Sequence, residues 1–221
     1  MIFASIDIET TGLDPEKCSV LSIGAIIEDT TKKLPYEELP KFNAIILQRE
    51  ISGSPRALTM NKDIIKMMGE YLEGTTEKKE ELEKTSGYLF LEQEQVVPAF
   101  FDFLFINGFR YDVPVSVQAR MINGKILPVI GSKTKPILLN VAGKNFGTFD
   151  KVFLEKLPRW QQLIRIKQRV IDPAILFCDW KNDDALPSLS ECKKRINIDS
   201  IVAHTALEDA RDVIQLLRKF Y

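Results

Sequence analysis

Asp7 and Glu9 stand two residues apart at the end of an apolar run, Met1-Ile2-Phe3-Ala4-Ser5-Ile6. In a strand, residues i and i+2 share a face. Ile6 and Ile8 then point one way and the two carboxylates the other. Like charges held that close repel each other, and each disfavours ionisation of its neighbour. A divalent cation removes the repulsion, and hard oxygen donors suit magnesium or manganese. Taken alone, the pair is accounted for at least as well by a solvated strand end or by salt-bridge partners elsewhere.

Two further acids qualify. Asp150 follows Phe149 and heads Val152, Phe153 and Leu157, an apolar helical stripe after a buried strand. On its own it reads as a carboxylate well placed at a helix N-terminus. Asp209 is more informative. Thr205 and Glu208 form the T-x-x-E capping-box pattern ahead of Ala210, Val213, Ile214 and Leu217. With Thr205 as N-cap, His204 takes the N′ position and Asp209 the N4 position. Those two positions usually hold a pair of apolar side chains that meet. Here an imidazole and a carboxylate occupy them, and His204 is the only histidine in the chain.

The elements that must position these groups follow from periodicity. Ile2 to Ile8, Val20 to Ile27 and Phe42 to Leu47 read as strands, the first two made antiparallel by a tight turn containing Cys18-Ser19. Ala57 to Leu72 carries Leu58, Ile64, Ile65, Met68 and Leu72 at helical spacing. Residues 73–87, EGTTEKKEELEKTSG, are charged and free of aromatics, a solvated helix end or a mobile loop. Gln93 to Phe105 reads as a helix with Val96, Val97, Phe100, Phe101 and Leu104 on one stripe. Val113, Val115 and Val117 alternate ahead of Asn123-Gly124, with Ile126 and Val129 beyond, a hairpin signal. KPILLNVAG (135–143) is a buried strand. RVIDPAIL holds another, stopped by Pro173. Pro187 to Ile196 and Thr205 to Tyr221 are helices. Strands first, then helix–strand alternation, make a mixed-sheet α/β domain.

Composition narrows the class. The 221 residues carry 30 basic and 31 acidic side chains, a net charge of −1. No large basic field draws this chain to long duplexes, so a nucleic-acid partner would be held by local groups. Cys18, Cys178 and Cys192 are odd in number and widely spaced. They match neither a disulfide framework nor a zinc pattern and fit a reducing compartment. No stretch approaches the roughly 20 apolar residues of a membrane span, and no leader is visible. The expectation is a cytoplasmic protein with no membrane partner, folded as one domain over 1–221 with insertions at 73–87 and 109–134.

DIETTGL (7–13), NFGTFDKVFL (145–154) and HTALEDA (204–210), in that order and with the His-x4-Asp spacing, resemble the three motifs of the DEDDh 3′–5′ exonucleases. That family includes the proofreading subunits of bacterial replicative polymerases, oligoribonuclease and RNase T. The resemblance runs along the whole chain. It implies a ribonuclease H-like fold, here a mixed five-stranded sheet flanked by helices with an extra β-hairpin. The second motif departs from the family, which often has His-Asn where this chain has Lys144-Asn145.

The resemblance also implies a mechanism. Two magnesium or manganese ions would sit among Asp7, Glu9, Asp150 and Asp209. Asp7 would bridge both, Glu9 and Asp209 would complete the first site, and Asp150 would support the second through water. His204 would be the general base, and the substrate the 3′ end of single-stranded DNA or RNA. Thr10, Thr11 and Gly12 would meet the terminal sugar. Asn145 belongs to the same candidate pocket. Leu13 is either a wedge against the last base or a core residue, and Phe146 lies either near that base or in the core. Asp172 falls where relatives often carry an acid and reads as supporting structure. Arg159, Arg165, Lys167, Arg169, Lys193, Lys194 and Arg195 are either guides for a strand or solvated surface. A polymerase or a second copy of the chain is a further partner left open. The competing reading is a catalytically silent nucleic-acid- or protein-binding module on the same fold, and the complete set of four acids plus His204 argues against it.

Overall fold

A computed structural model describes residues 1–109, 119–122, 125–128, 134–198 and 205–221. The chain begins β1 (Ile2–Thr10), β2 (Val20–Asp29), β3 (Lys41–Ile46), α1 (Pro55–Met60), α2 (Lys62–Glu73), α3 (Thr76–Ser86), β4 (Leu89–Leu91) and α4 (Gln93–Ile106). It continues β5 (Ala119–Ile122), β6 (Lys125–Pro128), β7 (Ile137–Leu139), β8 (Val141–Ala142), α5 (Asp150–Leu154), α6 (Trp160–Leu163), β9 (Ile164–Ile166), α7 (Leu189–Arg195) and α8 (Ala206–Leu217). The main sheet has five strands in the order β4-β3-β2-β1-β8. β1 pairs antiparallel with β2, and β2 with β3, while β8 and β4 add in parallel at the two edges.

Val20 to Ile27 is apolar almost without break because β2 is covered on both faces. On one face Val96, Val97, Phe100, Phe101 and Leu104 of α4, with Trp160 of α6, pack on Ile6, Ile8, Ile23, Ala25 and Phe42. On the other, Ala210, Val213, Ile214 and Leu217 of α8 pack on Phe3 and Ile26. Beside α8, Ile64 and Met68 of α2 cover Leu21, Ile45 and Phe90. Among the described residues, no helix is long and apolar enough to cross a membrane.

Several local expectations are corrected. The connection from β1 to β2 is a nine-residue loop, not a tight turn. Its fold comes from the Asp14 carbonyl, which accepts from both Lys17 and Cys18 N–H. The helix expected over 57–72 is two helices, divided at Asn61, whose backbone (φ −96°, ψ 17°) ends α1 and starts α2. Residues 76–86 form a helix of their own, α3, with no buried residue. Glu and Lys are good helix formers even without a core to face, and Gly87 at φ +71° stops it. The apolar run 135–143 serves two sheets. Asn140 interrupts it, donating its side-chain amide to the Ile2 carbonyl, so β8 joins β1 and β7 pairs with β9. The strand expected before Pro173 shrinks to one bridge, Ile171 to Ala142. Asp172 then caps a 3-10 turn over Pro173–Phe177, and the paired strand is β9, earlier in the chain. β5 and β6 do pair antiparallel, with Ile122 opposite Lys125. Asn123, Gly124, Val113, Val115, Val117 and Val129 lie outside the described residues.

Candidate active site

β1 puts Ile6 and Ile8 into the core under α4, so Asp7 and Glu9 face the opposite side, toward α8. Thr205 starts α8, its hydroxyl accepting the Glu208 N–H at 3.3 Å. The first turn of α8 then lies directly on β2. It can do so because residue 24 is glycine: a Cβ there would fall 2.1 Å from the Leu207 nitrogen. This seating brings Asp209 to the strand pair. One carboxylate oxygen from each of Asp7, Glu9 and Asp209 lies within 4.8 Å of the others.

Asp150 stands beside that group rather than in it. It opens α5, is 2% exposed, and accepts the Ile8 N–H at 3.2 Å on the edge of β1 that β8 leaves free. Asp172 braces the loop that leads to it. One of its oxygens accepts the Asn145 N–H at 3.0 Å and the other the Ala174 N–H at 2.9 Å. Asn145 sits at φ +56°, a left-handed conformation that asparagine tolerates. Lys144 occupies the place where a histidine was the usual expectation. It donates to Asn145 Oδ1 at 2.8 Å.

The acids burden one another. Burial lifts Asp7 well above the ordinary carboxylate range, and the charges of Asp150, Asp209 and Glu9 lift it further. Burial, then Asp209, raises Glu9 to about 7, against an opposing hydrogen bond from Asn61. Asp150 is also raised to about 7, first by burial; its own N–H and that of Ile8 pull downward, while Asp209 adds to the rise. Among the described residues, no basic side chain pairs with Asp7, Glu9 or Asp150. Half-buried and converging, with no cationic partner among the described residues, Asp7 and Glu9 are not a solvated strand end. An all-oxygen, all-anionic donor set of this kind fits a hard divalent cation.

The remaining candidate residues divide. Thr10 and Thr11 are buried and their hydroxyls are used within the loop. Thr10 Oγ1 donates to the Gly12 carbonyl at 2.8 Å, and Thr11 Oγ1 accepts the Ser19 N–H at 3.0 Å. Gly12 is needed for space, since a Cβ would meet Cys18 Sγ at 2.7 Å. Leu13 is 83% exposed, which removes the core alternative for it. Phe146 is fully buried in the core cluster under α4, so its ring faces the core and not a ligand. Lys193 pairs with Asp212, and Arg195 forms a two-pronged pair with Asp183. Lys193 is therefore engaged inside the fold, and Arg195, though exposed, is tied to Asp183 at the surface. Arg165, Lys167, Arg169 and Lys194 are exposed. His204 lies outside the described residues.

One residue at the site escaped sequence reasoning. Asn61 is 5% exposed, and its amide donates to the Thr10 and Ala57 carbonyls, each at 3.2 Å. Its only signal was a polar residue inside an otherwise apolar helical period.

No protein-family model matches the chain, and no curated protein matches its sequence. Solved structures do match in shape. Escherichia coli exonuclease I in complex with a dT13 oligonucleotide is 15% identical, with a TM-score of 0.56 over 99% of this chain and 41% of that one. The zinc-bound form of the E. coli enzyme with single-stranded DNA is 14% identical, with a TM-score of 0.56 over 99% and 40%. Exonuclease I of Methylocaldum szegediense is 15% identical, with a TM-score of 0.54 over 99% and 40%. This chain thus spans about 40% of the length of those proteins. Its mixed five-stranded sheet, flanked by helices, is the ribonuclease H-like α/β fold that these exonucleases share.

Proposed function

We propose that the chain is a metal-dependent 3′–5′ exonuclease that shortens single-stranded nucleic acid and releases nucleoside 5′-monophosphates. The observation that carries this reading is the convergence of Asp7, Glu9 and Asp209 within 4.8 Å, with Asp150 buried alongside. The fold adds support, since neighbours of the same architecture are complexes with dT13 and dA16 oligonucleotides. Their ligands make single-stranded DNA the first substrate to test.

Asp7, Glu9 and Asp209 would hold the metal, with Asp150 serving a second ion. Magnesium or manganese bound there supplies a Lewis acid for the phosphodiester and lowers the pKa of water. Water would attack the terminal phosphorus as the bond from phosphorus to the penultimate 3′ oxygen breaks, and that oxygen would take up a proton from solvent to become the new 3′ hydroxyl. His204, assigned as general base on the motif alone, takes the water's proton; a free imidazole pKa near 6.5 suits that task at neutral pH. The exposed Leu13 side chain contacts the last base, and Asn145 lines the approach to Asp150.

The test is hydrolysis of 5′-labelled single-stranded DNA and RNA with magnesium, manganese or EDTA, for wild type and Asp7→Ala. A metal-dependent ladder shortening from the 3′ end, absent in Asp7→Ala, is expected. No ladder under any metal, or equal activity in the variant, overturns the reading.

A further inference from the structure

At the end of β1 remote from the carboxylates lies an open groove of about 610 Å³, bordered by Met1, Leu138, Ile166, Arg165, Lys167 and Arg169. Resting on the exonuclease reading above, we propose that this groove is a second contact for the substrate. It holds the sugar–phosphate backbone of the single strand upstream of the 3′ end being cut.

The fold brings the three cations together. Ile137, Leu139 and Ile164 are buried in the core under α4. Alternation then turns Leu138 and its register partner Arg165 outward, and Leu138 is 56% exposed. The Lys167 N–H donates to the Leu139 carbonyl at 2.9 Å. That bond carries the ladder past β9 and sets Lys167 on the face of Arg165. Arg169 follows two residues on, and all three side chains are exposed. Among the described residues, no acid lines the groove or pairs with any of the three. Exposed lysines elsewhere do have acids beside them: Lys17 has Asp14, Lys32 has Asp29 and Lys66 has Glu70. In a chain with 31 acidic side chains and a net charge of −1, a concave surface lined by cations alone concentrates positive potential at one place.

Such a surface takes a polyanion, and a phosphodiester backbone fits the donor set. Guanidinium groups bind phosphate through two parallel hydrogen bonds, and a lysine adds a point charge. The guanidinium planes also offer faces on which unpaired bases stack, and the apolar floor removes base and sugar carbons from water. The position suits one strand reaching both sites. Asn140, at the groove, donates to the Ile2 carbonyl, and Asp7 stands five residues further along β1, roughly 17 Å away. The segment that carries the cations runs on through Ile171, bridged to Ala142, to Asp172, which holds the Asn145 loop ahead of Asp150. Groove and cluster thus lie at two ends of one edge of the fold. A strand held at the groove stays at high effective concentration near the cluster after each cleavage.

The experiment uses the full chain in EDTA, so that binding is read without hydrolysis. Fluorescence anisotropy of labelled dT13 is followed against salt for wild type and for Arg165→Gln, Lys167→Gln and Arg169→Gln combined. A charge-matched control combines Lys66→Gln, Lys78→Gln and Lys84→Gln, at exposed positions of α2 and α3. For single strands, three phosphate contacts contribute about 2 to the slope of log affinity against log salt. The groove variant is expected to lose about that much slope and to bind more weakly, oligo-dT and oligo-dA alike, as backbone contacts dictate. The control should keep the wild-type slope. With metal restored, KM for dT13 rises in the groove variant. Equal slopes in wild type and groove variant, or the same loss in the control, overturn the proposal. Loss of poly-glutamate binding in the groove variant with dT13 binding unchanged also overturns it and assigns the groove to an acidic protein. Wild type that binds dT13 through the groove yet yields no ladder with any metal overturns the exonuclease reading instead.

Discussion

Gly24 is the register partner of Asp7 across the β1–β2 ladder, so the position with no side chain stands beside the acid at the centre of the cluster. The missing side chain is what admits α8. With 2.1 Å between a hypothetical Cβ and the Leu207 nitrogen, the obstructing atoms are backbone, which cannot swing aside.

Gly24→Ala therefore displaces the first turn of α8 and takes Asp209 with it. Overpacking of this kind costs about 1–3 kcal/mol. The expected result is a protein that still folds but loses most of its manganese affinity and hydrolysis. Calorimetric titration beside a thermal melt measures both; unaltered metal binding would show that α8 is seated by other contacts.

The raised acids set a pH dependence for the metal-free protein. Unfolded, these carboxyls titrate near 4; folded, Glu9 and Asp150 titrate at about 7 and Asp7 is raised as well. Between those values the folded state holds more protons than the unfolded one, so the cluster's contribution to stability falls as pH rises. In EDTA, Asp7→Asn is expected to melt above wild type at pH 8 by roughly 2–4 °C, the shift that about 1 kcal/mol produces in a chain of this size. At pH 4 the two should converge. Magnesium or manganese should raise the wild-type melting temperature more at pH 8 than at pH 5 and do little for Asp7→Asn.

Leu13 offers a test of substrate contact free of folding effects. At 83% exposure it contributes little to the core. Leu13→Ala is expected to leave stability within about 0.5 kcal/mol and to raise KM for a single-stranded oligonucleotide by roughly tenfold, the effect of losing one buried aliphatic contact of about 1.5 kcal/mol. Steady-state kinetics at saturating metal measure it; an unchanged KM removes Leu13 from the binding surface.

The far end of α8 is held by an ion pair. Arg218 Nε donates to Glu28 Oε2 at 2.6 Å, and Glu28 is fully buried. The guanidinium also reaches the Leu34 carbonyl at 2.6 Å and lies over the Tyr36 ring. Arg218→Ala strands a buried carboxylate, which costs about 3–5 kcal/mol. Denaturant unfolding should show that loss, while hydrolysis by the folded protein in the cold should persist, because Glu28, on β2, pairs with Phe3 at the opposite end of β1 from the cluster. Loss of activity without loss of stability would contradict this division of labour.

Local rules made much of this protein legible from residues alone. Period-two alternation placed Asp7 and Glu9 on one face. A capping box placed Asp209 in the first turn of a helix. Long apolar runs marked β1, β2 and α4, because a stripe of matching period is a property of neighbours in the chain. Where neighbours do not decide, the reading failed or stayed open. Nothing in the sequence around Asn61 divides its helix; the division is set by carbonyls of Thr10 and Ala57 that the buried amide must satisfy. Leu13 and Phe146 are both large and apolar, and only packing reveals that one is out in solvent and the other sealed under α4. Lys193 and Arg195 of α7 stayed open between strand guides and solvated surface until Asp212 and Asp183 came against them.

The sequence by itself determined which residues carry charge and which face of each element they occupy, since both follow from covalent order and backbone period. Only the tertiary structure decided that three carboxylates from β1 and α8, some 200 residues apart, come within one cation's reach. That depends on two surfaces fitting, and the fit turns on a glycine whose significance is the absence of atoms.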